Sequence, residues 1–273
     1  MSAKFRFYGQ ASHAAAAPHR GRSALDGVEA MNYMVNLMRE HVTEQTRIHY
    51  VITRGGEAPN GVPAFAEVFY YVRHPDRAEV KRLFERIVLT AEGAARGTET
   101  RMEYEIIHGS YNLLPNRTLA QLMHQNLEKV GGVSYNAAER AFADSILMTL
   151  NRPEVSLDKA VKVSPFQPEP GVYPASTDVG DVSWVAPTTG LRTATWVPGT
   201  SAHSWQAVAA GGTSIGQKGM LVAAKTIALT GIQLFKNPDV CEQAKAELLE
   251  RTGPAFKYEA LLGDREPPLD YRE

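Results

Sequence analysis

The chain has 273 residues, 44% hydrophobic and 22% charged, with a formal net charge of −1. That balance argues against a nucleic-acid partner, which asks for a basic face, and no apolar run approaches the roughly 20 residues that cross a bilayer. A single cysteine, Cys241, excludes an intrachain disulfide framework; with an N-terminus lacking the apolar core of a signal peptide, the expectation is a soluble cytoplasmic protein.

Residues 4–8 alternate polar and apolar as a half-buried strand does. Ser23 is placed to cap a helix over 24–40, where Leu25, Val28, Met31, Val35 and Met38 recur at helical spacing. Alternation returns over 47–53, and the turn-rich G-G-E-A-P-N-G-V-P leads to a strand over 64–73. Asp76 opens a second helix with an apolar stripe through Val80, Leu83, Phe84, Ile87, Val88 and Ala91, and Met102, Tyr104 and Ile106 alternate in a fourth strand. The order β-α-β-β-α-β is the split βαβ, ferredoxin-like pattern, one four-stranded sheet with two helices on one face.

Beyond 4–108, helices are expected over 117–130 and 136–150, the first ended by Gly131-Gly132. Residues 151–178 hold five prolines and no long periodic run, which reads as a long loop. Short strands are expected near 182–186 and 192–197, followed by a turn, a long helix over about 214–235 and a last helix over 238–251.

The stretch Gly9–Gly21, G-Q-A-S-H-A-A-A-A-P-H-R-G, sets His13 in a small-residue loop between a strand and a helix. Such a histidine reads either as a surface residue or as a neutral imidazole donating a hydrogen bond to a developing oxyanion. Asn60 is either a turn former or an amide donor to substrate. Arg73 is either a solvated strand end or a bidentate clamp on a carboxylate. His203, in G-T-S-A-H-S-W, sits among small residues that let a metal approach. Asp178 and Asp181, in S-T-D-V-G-D, are the nearest carboxylates in sequence, with turn chemistry and capping as their other reading. A P-loop, a paired CxxC, an HExxH and a G-x-S-x-G elbow are all absent from the sequence.

Taken together, S-H-A-A-A-A-P, P-N-G-V-P followed by Arg73, S-T-D-V-G-D-V-S-W and G-T-S-A-H-S-W resemble the metal-dependent amidohydrolases of the aminoacylase/carboxypeptidase-G family, in particular the branch of the p-aminobenzoyl-glutamate hydrolase B subunits. The resemblance implies an α/β (α+β) fold: a ferredoxin-like lid and dimerisation domain over 1–112, and the C-terminal portion of a zinc-peptidase-like α/β catalytic domain over 113–273. It implies hydrolysis of the amide bond of an N-acyl or aroyl amino acid such as p-aminobenzoyl-glutamate, with two divalent ions, zinc or manganese. In that scheme His13 is the catalytic lid histidine reaching the other subunit's site. Asn60 and Arg73 bind the substrate carboxylate and His203 is a metal ligand; beside that scheme, Asp178 and Asp181 are candidates to face the same cavity from behind the metal. The H-x-D or C-x-H segment and the glutamate base of the family have no counterpart in this sequence. The expectation is therefore at most a partial metal site, a homodimer through the lid, and a separate chain or longer natural protein supplying the N-terminal half. The other reading is a non-catalytic dimerisation or ligand-binding remnant.

Overall fold

The computed structural model describes residues 1–150, 155–169, 171–172, 175–264, 266 and 269–270. They fall into two compact units, Met1–Leu113 with Val172–Asp181 and Lys257–Glu273, and Leu114–Gly171 with Val182–Phe256.

The first unit is built on β1 (Ser2–Tyr8), α1 (Ala24–Met38), β2 (Arg47–Arg54), β3 (Phe65–Arg73), α2 (Arg77–Gly97) and β4 (Arg101–His108). The strands form one antiparallel sheet in the order β2-β3-β1-β4, the ferredoxin-like arrangement that the alternation predicts. Ala3, Phe5 and Phe7 of β1 and Ala66, Val68, Tyr70 and Val72 of β3 are fully buried. They meet the apolar stripes of α1 (Val28, Met31, Val35) and α2 (Leu83, Ile87, Ala91). Gly27 is required there, because a Cβ would sit 2.5 Å from the Phe7 ring. On the opposite face, Arg6 donates to Glu67 at 2.7 Å and to Glu105 at 2.9 Å; against the upward push of its burial, the hydrogen bonds from Thr53 and Arg6 and the nearby Lys4 charge hold the Glu67 carboxyl below its usual pKa. Side-chain caps start both helices: Ser23 accepts from Asp26 N and Asp76 from Ala78 N.

Two returning segments complete this unit. Asp181 accepts from Tyr111 N at 3.1 Å and from the Tyr258 hydroxyl at 2.9 Å, while the Tyr111 hydroxyl donates to Glu259 O at 2.8 Å. Burial and the neighbouring Asp181 carboxylate push the Tyr258 phenol up to about 12.

The second unit contains α3 (Arg117–Val130), α4 (Ala137–Leu150), α6 (Trp205–Gly211), α7 (Ser214–Lys236) and α8 (Pro238–Thr252); α5 (Val179–Ser183) is a single short turn. Its core gathers Val133, Tyr135, Ala143, Ile146, Leu157, Val197, Ala210 and Ile215. The short strands expected near 182–186 and 192–197 do not form. The polar S-T-D start turns into α5 instead, with Asp181 N bonded to Asp178 O and Ala186 N to Val182 O. Among the described residues no strand lies beside 192–197, and a lone strand leaves its ladder groups unmet. The sequence pattern gives no sign of α6, whose seven residues are too few to show a period but which Ser204 caps by accepting from Ala207 N at 3.3 Å. Of the five prolines of the expected loop, Pro153, Pro170 and Pro174 lie outside the described residues.

Candidate functional site

His13 is held by the alanines that follow it. Its Nδ1 accepts from Ala15 N at 3.2 Å and from Ala16 N at 3.1 Å. An imidazole nitrogen that accepts carries no proton, so in the neutral ring the proton sits on Nε2, which points a single N–H outward as a donor. Small side chains are what allow the backbone to fold back this tightly. The loop is closed at both ends by glycines: a Cβ on Gly9 would lie 2.0 Å from Arg22 O, and one on Gly21 2.5 Å from Ser12 Oγ.

Asn60 belongs to the same assembly. Ala14 N donates to Asn60 O at 3.0 Å, Val62 N donates to Ser12 O at 2.9 Å, and His13 bridges to Gly61. Beside this turn lies an open cavity of about 550 Å³ lined by Arg54, Gly56, Glu57, Ala58 and Gly61–Phe65. Arg54, which no sequence motif singles out, is the one basic residue of its wall. The signal for it lies only in its position as the last residue of β2, ahead of the Gly55-Gly56 turn.

Arg73 is elsewhere. β3 begins at Phe65, opposite Tyr8 and next to the His13–Asn60 assembly, and ends at Arg73, opposite Arg47. Eight residue steps separate those ends, about 26 Å at 3.3 Å per residue. Asn60 and Arg73 therefore do not converge within one protomer, as an adjacent carboxylate-binding pair would. The neighbour of Arg73 is Ser176, whose Oγ accepts from Nη2 at 2.7 Å. The structure thus brings Arg73 to the S-T-D-V-G-D segment, a link of 103 residues with no local signature.

Both oxygens of Asp181 accept the hydrogen bonds that fasten Tyr111 and Tyr258, which gives this residue a structural task. Asp178 is exposed and accepts a long 3.4 Å contact from Thr177 Oγ1. His203, in the second unit, is exposed and has a left-handed backbone, with φ of +61°. Such a conformation is uncommon outside glycine and is held here by the turn that leads into α6. Among the described residues, no three His, Cys, Asp or Glu side chains are grouped so as to hold a metal ion. The residues present therefore do not fit a two-ion centre, and His203 remains a single ligand candidate. Nor is any helix of the described residues long and apolar enough to cross a membrane.

Residues 1–99 match the peptidase dimerisation domain of the M20 type. The chain is 40% identical over 271 residues to the B subunit of the p-aminobenzoyl-glutamate hydrolase of Escherichia coli, covering 90% of this chain and 56% of that protein. It is 30% identical over 245 residues to the Xaa-Arg dipeptidase of Mus musculus, covering 89% of this chain and 49% of that one. Among solved structures, the aminobenzoyl-glutamate utilization protein of Klebsiella pneumoniae aligns with a TM-score of 0.44 and 24% identity, over 49% of this chain and 34% of that chain. The chain spans about half the length of the curated relatives it matches. Its first 99 residues match the model of the peptidase dimerisation domain, and nearly its whole length is similar to part of a p-aminobenzoyl-glutamate hydrolase subunit.

Proposed function

We propose that this chain is the dimerisation domain and C-terminal portion of a metal-dependent amidohydrolase that cleaves an N-acyl or aroyl amino acid such as p-aminobenzoyl-glutamate. The observation that carries this reading is the 40% identity to a p-aminobenzoyl-glutamate hydrolase along 90% of the chain.

In such enzymes divalent metal ions, zinc or manganese, would activate the hydrolytic water, and His203 is the one ligand candidate this chain would offer them; this chain's own residues bind and polarise the substrate. His13 Nε2–H donates to the amide oxygen as negative charge develops on it. The Asn60 amide lies beside it as a further donor, and Arg73 offers a fork to the substrate carboxylate. Because Arg73 stands at the far end of β3, the set is completed by two protomers: His13 and Asn60 from one, Arg73 from its partner. A homodimer along β2 supports that arrangement. β2 is an edge strand with Val51 and Ile52 exposed, and α1 exposes Tyr33 and Leu37. Both are surfaces that a second copy covers at low cost.

The test is hydrolysis of p-aminobenzoyl-glutamate, with zinc or manganese supplied, by the 273-residue chain alone and by the chain fused to the unmatched part of the Escherichia coli relative. Turnover by the fused enzyme and none by the chain alone is expected. A metal-loaded fusion without turnover overturns this reading and leaves the dimerising remnant.

A further inference from the structure

The cavity of about 550 Å³ beside Asn60 is walled by a turn folded back on itself. Gly56 has a left-handed φ of +105°, and a Cβ there would lie 2.8 Å from Pro63 Cγ, so the two sides of the G-G-E-A-P-N-G-V-P turn touch. Gly61 N donates to Ala58 O at 3.2 Å, and Gly61 also bridges to His13. The wall therefore shares its backbone with the loop that carries the imidazole. Val62, Pro63, Ala64 and Phe65 make one side of it apolar, and the volume lies in the range that small ligands fill.

Arg54 comes to this wall through a bulge. The β2–β3 register shifts between Ile52 and Arg54, and Thr53 ties the extra residue down: its Oγ1 donates to Glu67 O at 3.2 Å and to Glu67 Oε1 at 2.7 Å. Bulges re-aim side chains and are over-represented beside sites. The carboxylates at this end of the sheet are engaged elsewhere, Glu67 with Arg6 at 2.7 Å and Lys4 at 3.9 Å, and Glu99 with Arg22 at 2.5 Å. Glu57, the wall's own acid, lies beyond the Gly55-Gly56 turn and makes no ion pair with Arg54 among the described residues.

We propose that Arg54 makes this cavity the subsite for a side-chain carboxylate of the substrate, so that N-acyl derivatives of acidic amino acids are taken in preference to neutral ones. This rests on the amidohydrolase reading above. Within one protomer Arg73 cannot share that work. Arg54 stands opposite Glu67, six residues before Arg73 and about 20 Å away along β3. In a site drawn from two protomers, Arg73 of one clamps the main-chain carboxylate. Arg54 of the other, beside its own His13 and Asn60, holds the second carboxylate, with the methylenes between them against the apolar wall. A guanidinium fork takes both oxygens of a carboxylate, whereas the isosteric amide offers it one acceptor and turns an N–H₂ donor against it.

The experiment titrates the full ¹⁵N-labelled 273-residue chain with p-aminobenzoyl-glutamate and with p-aminobenzoyl-glutamine, which has the same shape and one negative charge fewer. The expected result is a shift of the Gly56 and Gly61 amides, with the diacid bound about tenfold more tightly, the effect of one charged hydrogen-bonded contact. Arg54→Gln should remove that preference and Arg54→Lys restore part of it, with unchanged melting temperatures because Arg54 is exposed; the comparison of the two ligands on the unaltered chain needs no variant. Four results overturn the proposal: no shift at millimolar ligand, equal affinity for the two ligands, a preference that survives Arg54→Gln, or shifts confined to the Arg73–Ser176 end of β3. Hydrolysis by the covalent fusion separates the two ideas. Turnover of both ligands at equal kcat/KM sinks the subsite and leaves the amidohydrolase reading standing, whereas Arg54-dependent binding without turnover does the reverse.

Discussion

Ala14 donates its amide to the carbonyl of Asn60 over 3.0 Å, so the loop that carries His13 and the turn that carries Asn60 are positioned as one body. An imidazole whose Nδ1 is already occupied by two alanine amides has its donor direction fixed by the loop itself, as the proposed oxyanion role requires. That is preorganisation of the kind that matters at an oxyanion.

In the completed enzyme His13→Ala should lower kcat by about 10²–10³, the effect of losing one oxyanion donor, with KM little changed. His13→Gln should recover part of the loss if a neutral donor is what the position supplies. Steady-state kinetics decide this, and an unchanged kcat removes His13 from the site.

The placement of Asn60 and Arg73 at opposite ends of β3 makes a sharper demand. If each site draws on two protomers, His13→Ala and Arg73→Ala variants should each be nearly inactive alone. Mixed dimers contain one intact site and one doubly damaged site, so random pairing restores about a quarter of wild-type activity. Absence of complementation in isolated mixed dimers means that the three residues act from a single chain or not together.

Gly9→Ala tests the closure of the loop. The added Cβ meets the Arg22 carbonyl at 2.0 Å, and backbone has no rotamer with which to yield. A loss of about 1–3 kcal/mol is expected, as for overpacked positions, read as a lower melting temperature of the whole chain. An unchanged melt shows that the loop is not closed in this way.

The pH dependence of stability should carry the signature of Glu139. This residue accepts from Lys218 Nζ at 2.7 Å, from Ser214 Oγ at 2.6 Å and from Asn136 N at 2.7 Å, which together hold its carboxyl down to about 2. A carboxyl whose folded pKa lies below its unfolded value of about 4.3 stabilises the fold fully above that value, and the contribution fades as pH falls towards 2. Thermal melts between pH 5 and 2 should therefore drop more steeply for the natural chain than for Glu139→Gln. Parallel curves exclude Glu139 as a source of the acid sensitivity.

Much of the first unit is legible from the sequence because its signals are local. The 2-residue period of Ala3, Phe5 and Phe7 and the helical stripes of α1 and α2 each fix one element, and the β-α-β-β-α-β order leaves few ways to assemble them. The glycines and alanines of the His13 loop mark close packing in the same local fashion. What the sequence does not carry is distance. Arg73 and Ser176 meet across 103 residues, and nothing in P-N-G-V-P tells that Arg73 stands a full strand away from Asn60. The misread strands at 182–186 and 192–197 have a related cause. An apolar run such as V-S-W-V is compatible with a strand or a buried turn, and only a neighbouring strand, absent there among the described residues, decides between them.

The clasp formed by Tyr111, Asp181 and Tyr258 bears on the order in which the molecule can assemble. Its hydrogen bonds close loops of 70, 77 and 148 residues, whereas the strands and helices of the first unit pair within its first 108 residues. Loop entropy favours short closures first. On a ribosome the sheet and its two helices can therefore condense while the clasp still lacks two of its three strands of chain. Fastening waits until the residues around Tyr258 emerge, so any delay or cleavage between 114 and 256 leaves a folded sheet with an unfastened end.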